Sequence, residues 1–217
     1  MGDNINVIVF IDFVHKCYLK KNRINTMLNK VFDQLSNNGY IMTPCNNKAP
    51  VLSAWQTLQN NVIWKTQYPK HNVGIVLGTK LVAIDIDVMN QKCANAILEE
   101  VVNRFGMDVL VRQGKAPKLL VLFKTQDNDE IIKKHKIHLS DEFGGKHQVE
   151  ILANGQQFIA AGTHPDTQKE YTWISTRNPL DTLIDELPSI SLDDIRDFLV
   201  NLYKTLPGGW AVEKIGY

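Results

Sequence analysis

The sequence predicts a mixed α/β protein, and three observations carry that expectation. Short runs rich in β-branched and aromatic residues, "VGIVLG", "LVAIDID", "KLLVLF", "QVEIL", "QFIAA" and "EYTWIS", are each bounded by Gly, Asn or Pro. Elsewhere apolar residues recur at the i, i+3, i+4, i+7 spacing of amphipathic helices. The strand-like runs cluster as hairpins in the second half. No low-complexity tract, repeat or long Pro/Gly/Ser linker divides the 217 residues, so one continuous domain over 1–217 is expected.

The elements follow in order. The amino-terminal "NVIVFIDFV" carries Asp12 inside an apolar run and has no small-residue cleavage site, which fits a strand better than a signal peptide. Leu28, Val31, Phe32 and Leu35 mark a first helix that Gly39 would end as a left-handed cap. "NNGYIMTP" reads as a turn into a strand. The clearest helix runs from about Asn90 to Phe105, with Ala94, Ile97, Leu98, Val101, Val102 and Phe105 as one stripe and Gly106 after it. A last helix follows Ser191, with Ile195, Phe198, Leu199 and Leu202 on one face.

Composition narrows the function classes. Hydrophobic residues make up 44% of the chain, enough for a sizeable core, and the net charge is +1. Attraction to nucleic acid or anionic membrane must therefore come from a local patch. Cys17, Cys45 and Cys93 are isolated, which argues for a reducing compartment and against a zinc knuckle. No run approaches the roughly 20 apolar residues of a membrane span. The cytoplasm is the expected location.

"LVAIDID" is the most informative stretch. On a strand Leu81, Ala83, Asp85 and Asp87 share one side, while Val82, Ile84, Ile86 and Val88 share the other, the core side. Two carboxylates at i and i+2 lie roughly 6–7 Å apart, and at an effective dielectric near 20 they repel by on the order of 2–3 kcal/mol. A D-x-D alone is more often a solvated strand end. Four apolar positions opposite it and a helix directly after it point instead to a central strand lining a cleft, where a hard divalent cation would offset the repulsion. Glu150, equally unexpected in "HQVEILANG", is the candidate third carboxylate; Gln148 and Leu152 share its face, and His147 falls on the other.

The ordered segments "GYIMTPCNNKAPVLSAWQ", "NVGIVLGTKLVAIDID", "RQGKAPKLLVLFKT" and "QVEILANGQQFIAAGTHPDTQKEYTW" resemble the amino-terminal catalytic domain of bifunctional DNA primase/polymerases, in the archaeo-eukaryotic primase superfamily. The resemblance covers about residues 36–175. Its elements are Lys48, Pro50 and Trp55, the G-I-x-x-G from Gly74 to Gly78, the D-x-D, and Gly162, Thr163, His164 and Pro165 followed by Tyr171 and Trp173. It implies a mixed, largely antiparallel sheet related to the RNA-recognition fold and flanked by helices, with 180–217 as a helical extension.

The resemblance also implies the chemistry. Asp85, Asp87 and Glu150 would hold two Mg²⁺ or Mn²⁺ ions that activate a primer 3′-hydroxyl and neutralise an incoming nucleoside triphosphate, ribo or deoxyribo. The implied partners are a single-stranded DNA template with its primer, and a replicative helicase in the same or a neighbouring chain; no membrane is involved. Many members place a histidine on the strand after the acidic one. Here "GKAPKLLVLF" puts Lys118 in that place, with Arg112 and Lys115 before it, and a lysine holds phosphate as a point charge without the imidazole's shape. Thr163 and His164 in their turn, and Lys48, complete the candidate nucleotide-binding set, each equally at home as a solvated surface residue.

Between Arg112 and Gln148 there are eight Lys/Arg against five Asp/Glu, a modest surplus for a phosphate backbone. His135 and His138 in "KKHKIHLS" lack metal-ligand companions and read as a basic, solvated segment. Trp55, Trp64 and Trp173 suit either base stacking or the core. A non-catalytic nucleic-acid or nucleotide-binding replication protein and a metal-dependent nuclease remain the alternative readings. The Asn- and Lys-rich composition fits an AT-rich bacterial, phage or plasmid source.

Overall fold

The computed structural model of the chain describes residues 31–126 and 131–216. The expected amino-terminal strand, Leu28 and Cys17 lie outside them. Helix α1 covers 31–37 and stops at Gly39, whose φ of 89° is the left-handed cap that the sequence predicts. There follow β1 (Met42–Asn46), β2 (Ala49–Pro50), a single turn α2 (Trp64–Gln67), β3 (Asn72–Leu77), β4 (Leu81–Asp87) and α3 (Gln91–Phe105). The second half contributes β5 (Leu110–Gln113), β6 (Leu119–Thr125), β7 (His135–Ser140), β8 (Lys146–Leu152), β9 (Gln156–Ala161), β10 (Thr172–Trp173), β11 (Ser189–Ile190), α4 (Leu192–Asn201) and β12 (Ala211–Gly216).

The strands form two sheets, of orders β2-β1-β3-β9 and β10-β5-β6-β4-β8-β7-β12, with β11 joined to β6. Only the β11–β6 pairing is parallel among the described strands. This is the α+β, largely antiparallel architecture expected from the sequence. No helix among the described residues is long and apolar enough to cross a membrane.

The larger sheet is the middle of three layers, because its strands alternate apolar side chains to both faces. One face, with Val82, Ile84 and Ile86 of β4 and Val121 and Phe123 of β6, packs against α3 (Cys93, Ala94, Ile97, Val101) and α4 (Ile195, Phe198, Leu199). The other, with Leu81 and Ala83 of β4 and Leu120 and Leu122 of β6, meets the smaller sheet through Ile75, Leu77, Phe158 and Ala160. Cys45 and Cys93 are buried free thiols.

Local sequence sets the helix ends. Asn90 caps α3 by accepting the Cys93 N–H at 3.0 Å, and Gly106 follows its last turn with φ 91°. Ser191 and Asp194 form a capping box at the start of α4. Phe105 ties α3 to both neighbours, edge-on to Phe123 at 5.3 Å and to Phe198 at 6.4 Å.

Three expectations are corrected by the fold. "KKHKIHLS" is no solvated segment: it contains β7, paired on both sides by β8 and β12, and its Ile137 and Leu139 are fully buried. Lysines and histidines on its polar face hide the alternation. The region 180–217 is not purely helical either, since after α4 the chain returns as β12 along the edge of the main sheet. "EYTWIS" shortens to the two residues of β10.

Candidate active site

The second core ends abruptly along β4. Leu81 and Ala83 are covered by the smaller sheet, and the next two positions on that face are Asp85 and Asp87. Beyond the covering layer lies a cleft of about 180 Å³ whose lining includes Asp85, Asp87, Arg112, Lys115, Lys118, Lys48, Gln157, His164 and Tyr171. Acids thus occupy its floor and cations its walls.

The antiparallel register fixes what surrounds Asp85. Across β4–β8 it stands directly opposite Glu150, and across β4–β6 opposite Leu120, which in turn faces Arg112 of β5. Asp87 stands opposite Gln148, whose Nε2 donates to it at 3.2 Å, and forms an ion pair with Lys118. Glu150, only 7% exposed, accepts from Lys134 at 2.9 Å and from Lys136 at 2.5 Å. Lys136 also donates to Gln148 at 3.0 Å, so Lys118, Asp87, Gln148, Lys136, Glu150 and Lys134 form one continuous polar chain.

Asp85 stands outside that chain. Its carboxylate has no hydrogen bond or ion pair among the described residues, and burial pushes its pKa up to about 6, helped by the negative charges of Asp87 and Glu150 and opposed by Arg112. For Glu150 burial works in the same direction, but the two lysines outweigh it and hold the carboxyl below its usual range. Oxygen-only donors, one of them half-buried and without a hydrogen bond or ion pair among the described residues, fit a hard divalent cation such as Mg²⁺ or Mn²⁺. No group of three His, Cys, Asp or Glu side chains converges at metal-binding range among the described residues, and Glu150 is held by its two lysines.

Arg112 is built into the cleft wall. Its guanidinium lies 4.8 Å from the Tyr171 ring centre and 5.6 Å from that of Phe158, and Nη1 donates to the Ile159 carbonyl at 2.6 Å. Its buried Nε has no partner. Burial lowers its pKa, which Asp85 partly restores.

Lys115 reaches Asp166 at 3.2 Å, and Lys48, exposed in the β1–β2 turn, faces the same space. His164 is buried at 4% exposure against Tyr171, and burial, then Lys48, hold its imidazole's pKa below the ordinary value. Its Nδ1 accepts the Asp166 N–H at 3.2 Å. Thr163 is placed elsewhere, on a neighbouring hollow beside α1. The backbone N–H groups of Thr163 and His164 are committed to Asn72 Oδ1 at 2.9 Å and the Lys169 carbonyl at 2.8 Å, so neither of these two amides is free for phosphate.

The structure thus brings Asp85, Asp87, Lys48, Arg112, Lys115, Lys118 and His164 together in one cleft, and sets Glu150 beside it. Sequence reasoning missed Lys134 and Lys136 as the partners of Glu150. The signal was the "DEFGG" turn, which joins β7 to β8 as a hairpin and so aligns Lys136 with Glu150. His147 lies on the opposite face from Glu150, as expected, where it accepts the Met89 N–H at 3.3 Å and stacks against Trp210. Trp64 belongs to the second core, and Trp173 packs on it while donating to the Ala160 carbonyl at 3.0 Å.

The chain is therefore an α+β protein with a D-x-D on the central strand of a largely antiparallel sheet. Residues 33–190 match the family model of the bifunctional DNA primase/polymerase amino-terminal domain, and the chain belongs to that family. No individually curated protein matches it.

Proposed function

We propose that the chain is a divalent-metal-dependent DNA primase/polymerase that transfers nucleotides from nucleoside triphosphates to a primer 3′-hydroxyl on a DNA template. The observation that carries this reading is the polarised cleft: an unpartnered Asp85 beside Asp87 on one strand, facing Arg112, Lys115, Lys118 and Lys48. A triphosphate with its metal has the complementary charge pattern, cation towards the acids and phosphate oxygens towards the wall.

Asp85 and Asp87 would hold the cation, Mg²⁺ or Mn²⁺, with Glu150 joining them when it releases Lys134 and Lys136. When bound, the metal supplies Lewis-acid activation of the attacking hydroxyl and neutralises charge on the phosphates. The protein's own groups do the rest by position. Lys118, which pairs with Asp87 at the mouth of the cleft, and Lys115 would meet the phosphates as point charges. Arg112, locked between Tyr171, Phe158 and the Ile159 carbonyl, presents a fixed cation that loses little entropy on binding. His164 adds its imidazole to the cleft lining.

Incubating the protein with labelled primer–template, Mg²⁺ or Mn²⁺ and nucleoside triphosphates tests the reading. Primer extension is expected. Primer shortening would assign a nuclease instead, and binding without change in length would assign a non-catalytic module.

A further inference from the structure

The main sheet continues past the acidic strand as a wing, β8-β7-β12, whose two faces differ. One face packs into the helical core through Val149, Ile151, Ile137, Leu139 and Val212. The face shared with Asp85 and Asp87 is polar, and of β8, β7 and β12 only Leu152 contributes to the second core. Strand β12 lies beyond the family-matched residues 33–190 and forms the outer edge of the main sheet.

Register links this edge to the cleft. An irregularity between Val212 and Lys214 shifts β12 so that Lys214 lands directly opposite His138, which stands opposite Gln148, which stands opposite Asp87. One row of the sheet thus runs from the candidate metal-binding acid to an exposed lysine at the edge. Three strand spacings make it about 14 Å long, the axial span of roughly four phosphates on one strand. On the row beside it lies exposed Lys146, opposite Ser140. Neither Lys146 nor Lys214 has an ion pair among the described residues, whereas Lys134 and Lys136 are balanced by Glu150. Asp141, in the turn at the end of the wing, is occupied by the Phe143 and Gly145 N–H groups and His147. At the tip of that turn Phe143 is 88% exposed, an open aromatic ring of the kind on which single-stranded bases stack.

We propose that the polar face of this wing is the track along which the sugar–phosphate backbone of the primer–template leaves the cleft, with Lys146 and Lys214 contacting phosphates. This rests on the polymerase reading and adds a surface to it. Continuity with the cleft and charge complementarity select nucleic acid as the occupant.

The test is the salt dependence of primer–template binding, followed by fluorescence anisotropy on the full chain and on the Lys146→Ala/Lys214→Ala double variant. Each phosphate contact contributes a slope of about 0.7–0.9 in log Kd against log salt, so the variant should be shallower by about 1.4–1.8 and weaker by more than about tenfold at ~0.1 M salt. Its unfolding temperature and Mn²⁺ binding should match the parent, since both lysines are unpaired. Identical Kd and slope in parent and variant would overturn the track. Retained DNA binding with lost affinity for poly-glutamate would overturn it too, assigning the wing to an acidic protein. If the parent itself fails to bind primer–template, the polymerase reading falls and the track with it.

Discussion

Asp85 and Glu150 face each other directly across the β4–β8 ladder, yet Glu150 holds two lysines and Asp85 holds none. Directly opposed side chains have Cβ atoms about 5 Å apart, a spacing at which like charges repel by about 3 kcal/mol at an effective dielectric near 20. The lysines relieve Glu150. Asp85 is left as the group on which a bound cation acts most strongly.

Asp85→Asn should therefore stabilise the metal-free protein while abolishing primer extension. The folded-state pKa is raised from 3.8 to about 6, so between those values the folded protein binds the proton more tightly than the unfolded chain, and stability falls as pH rises through that window. At pH 7 the full penalty is present, and the variant should gain about 1–3 kcal/mol in denaturant unfolding without divalent ions. The fall in stability that Asp85 contributes between pH 4 and 6 should also disappear from the difference between parent and variant. A loss of stability at pH 7 would show that Asp85 is already well compensated.

Removing Lys134 and Lys136 together acts in the opposite direction on Glu150. Its pKa is depressed in the fold, so the pairs stabilise above the unfolded value of 4.5 and that stability is lost as pH falls through the folded value. The double alanine variant should lose about 1–2 kcal/mol at neutral pH, between the surface and buried extremes for ion pairs. It should also bind Mn²⁺ more tightly, since Glu150 no longer has competing ammonium groups. Unchanged Mn²⁺ affinity in a titration would remove Glu150 from the metal site.

Lys118→Ala and Arg112→Lys separate two kinds of cation. Lys118 is a mobile point charge on Asp87, so its loss should mainly raise the nucleotide KM. Arg112 is a packed plane between two rings, and lysine cannot reproduce its stacking or its bond to Ile159. Arg112→Lys should lower the unfolding temperature as well as kcat/KM. Equal thermal stability in both variants would contradict this division.

Gly114→Ala tests the cleft's shape. A Cβ there would stand 2.5 Å from the Tyr171 ring and 3.0 Å from that of His164, so overpacking should cost about 1–3 kcal/mol and raise the nucleotide KM. Gly78→Ala has nothing within 4 Å and should stay within about 0.5 kcal/mol of the parent.

The acidic strand was legible in the sequence because two carboxylates interrupt a pattern that otherwise buries both faces, and α3 and α4 because their caps and stripes agree. Gly39 and Gly106 announced their turns for the same local reason. What the sequence hid were relations between distant segments. Strand β7 carries lysine and histidine on its polar face, so its period of two is visible only once Ile137 and Leu139 are known to be buried. Lys136 meets Glu150 through hairpin register, and Thr163 is drawn from the cleft by Asn72, 91 positions away. Strand β12 gave no signal of its own, since an edge strand with a bulge between Val212 and Lys214 breaks its period of two and owes its place to the strand it joins.

The central claim is that Asp85 and Asp87 together bind a divalent cation, and Mn²⁺ binding followed by electron paramagnetic resonance tests it without depending on turnover. The parent should bind Mn²⁺ and release it to excess Mg²⁺, while Asp85→Asn and Asp87→Asn, both folded by circular dichroism, should lose that binding. Wild-type Mn²⁺ affinity in either folded variant would contradict the account.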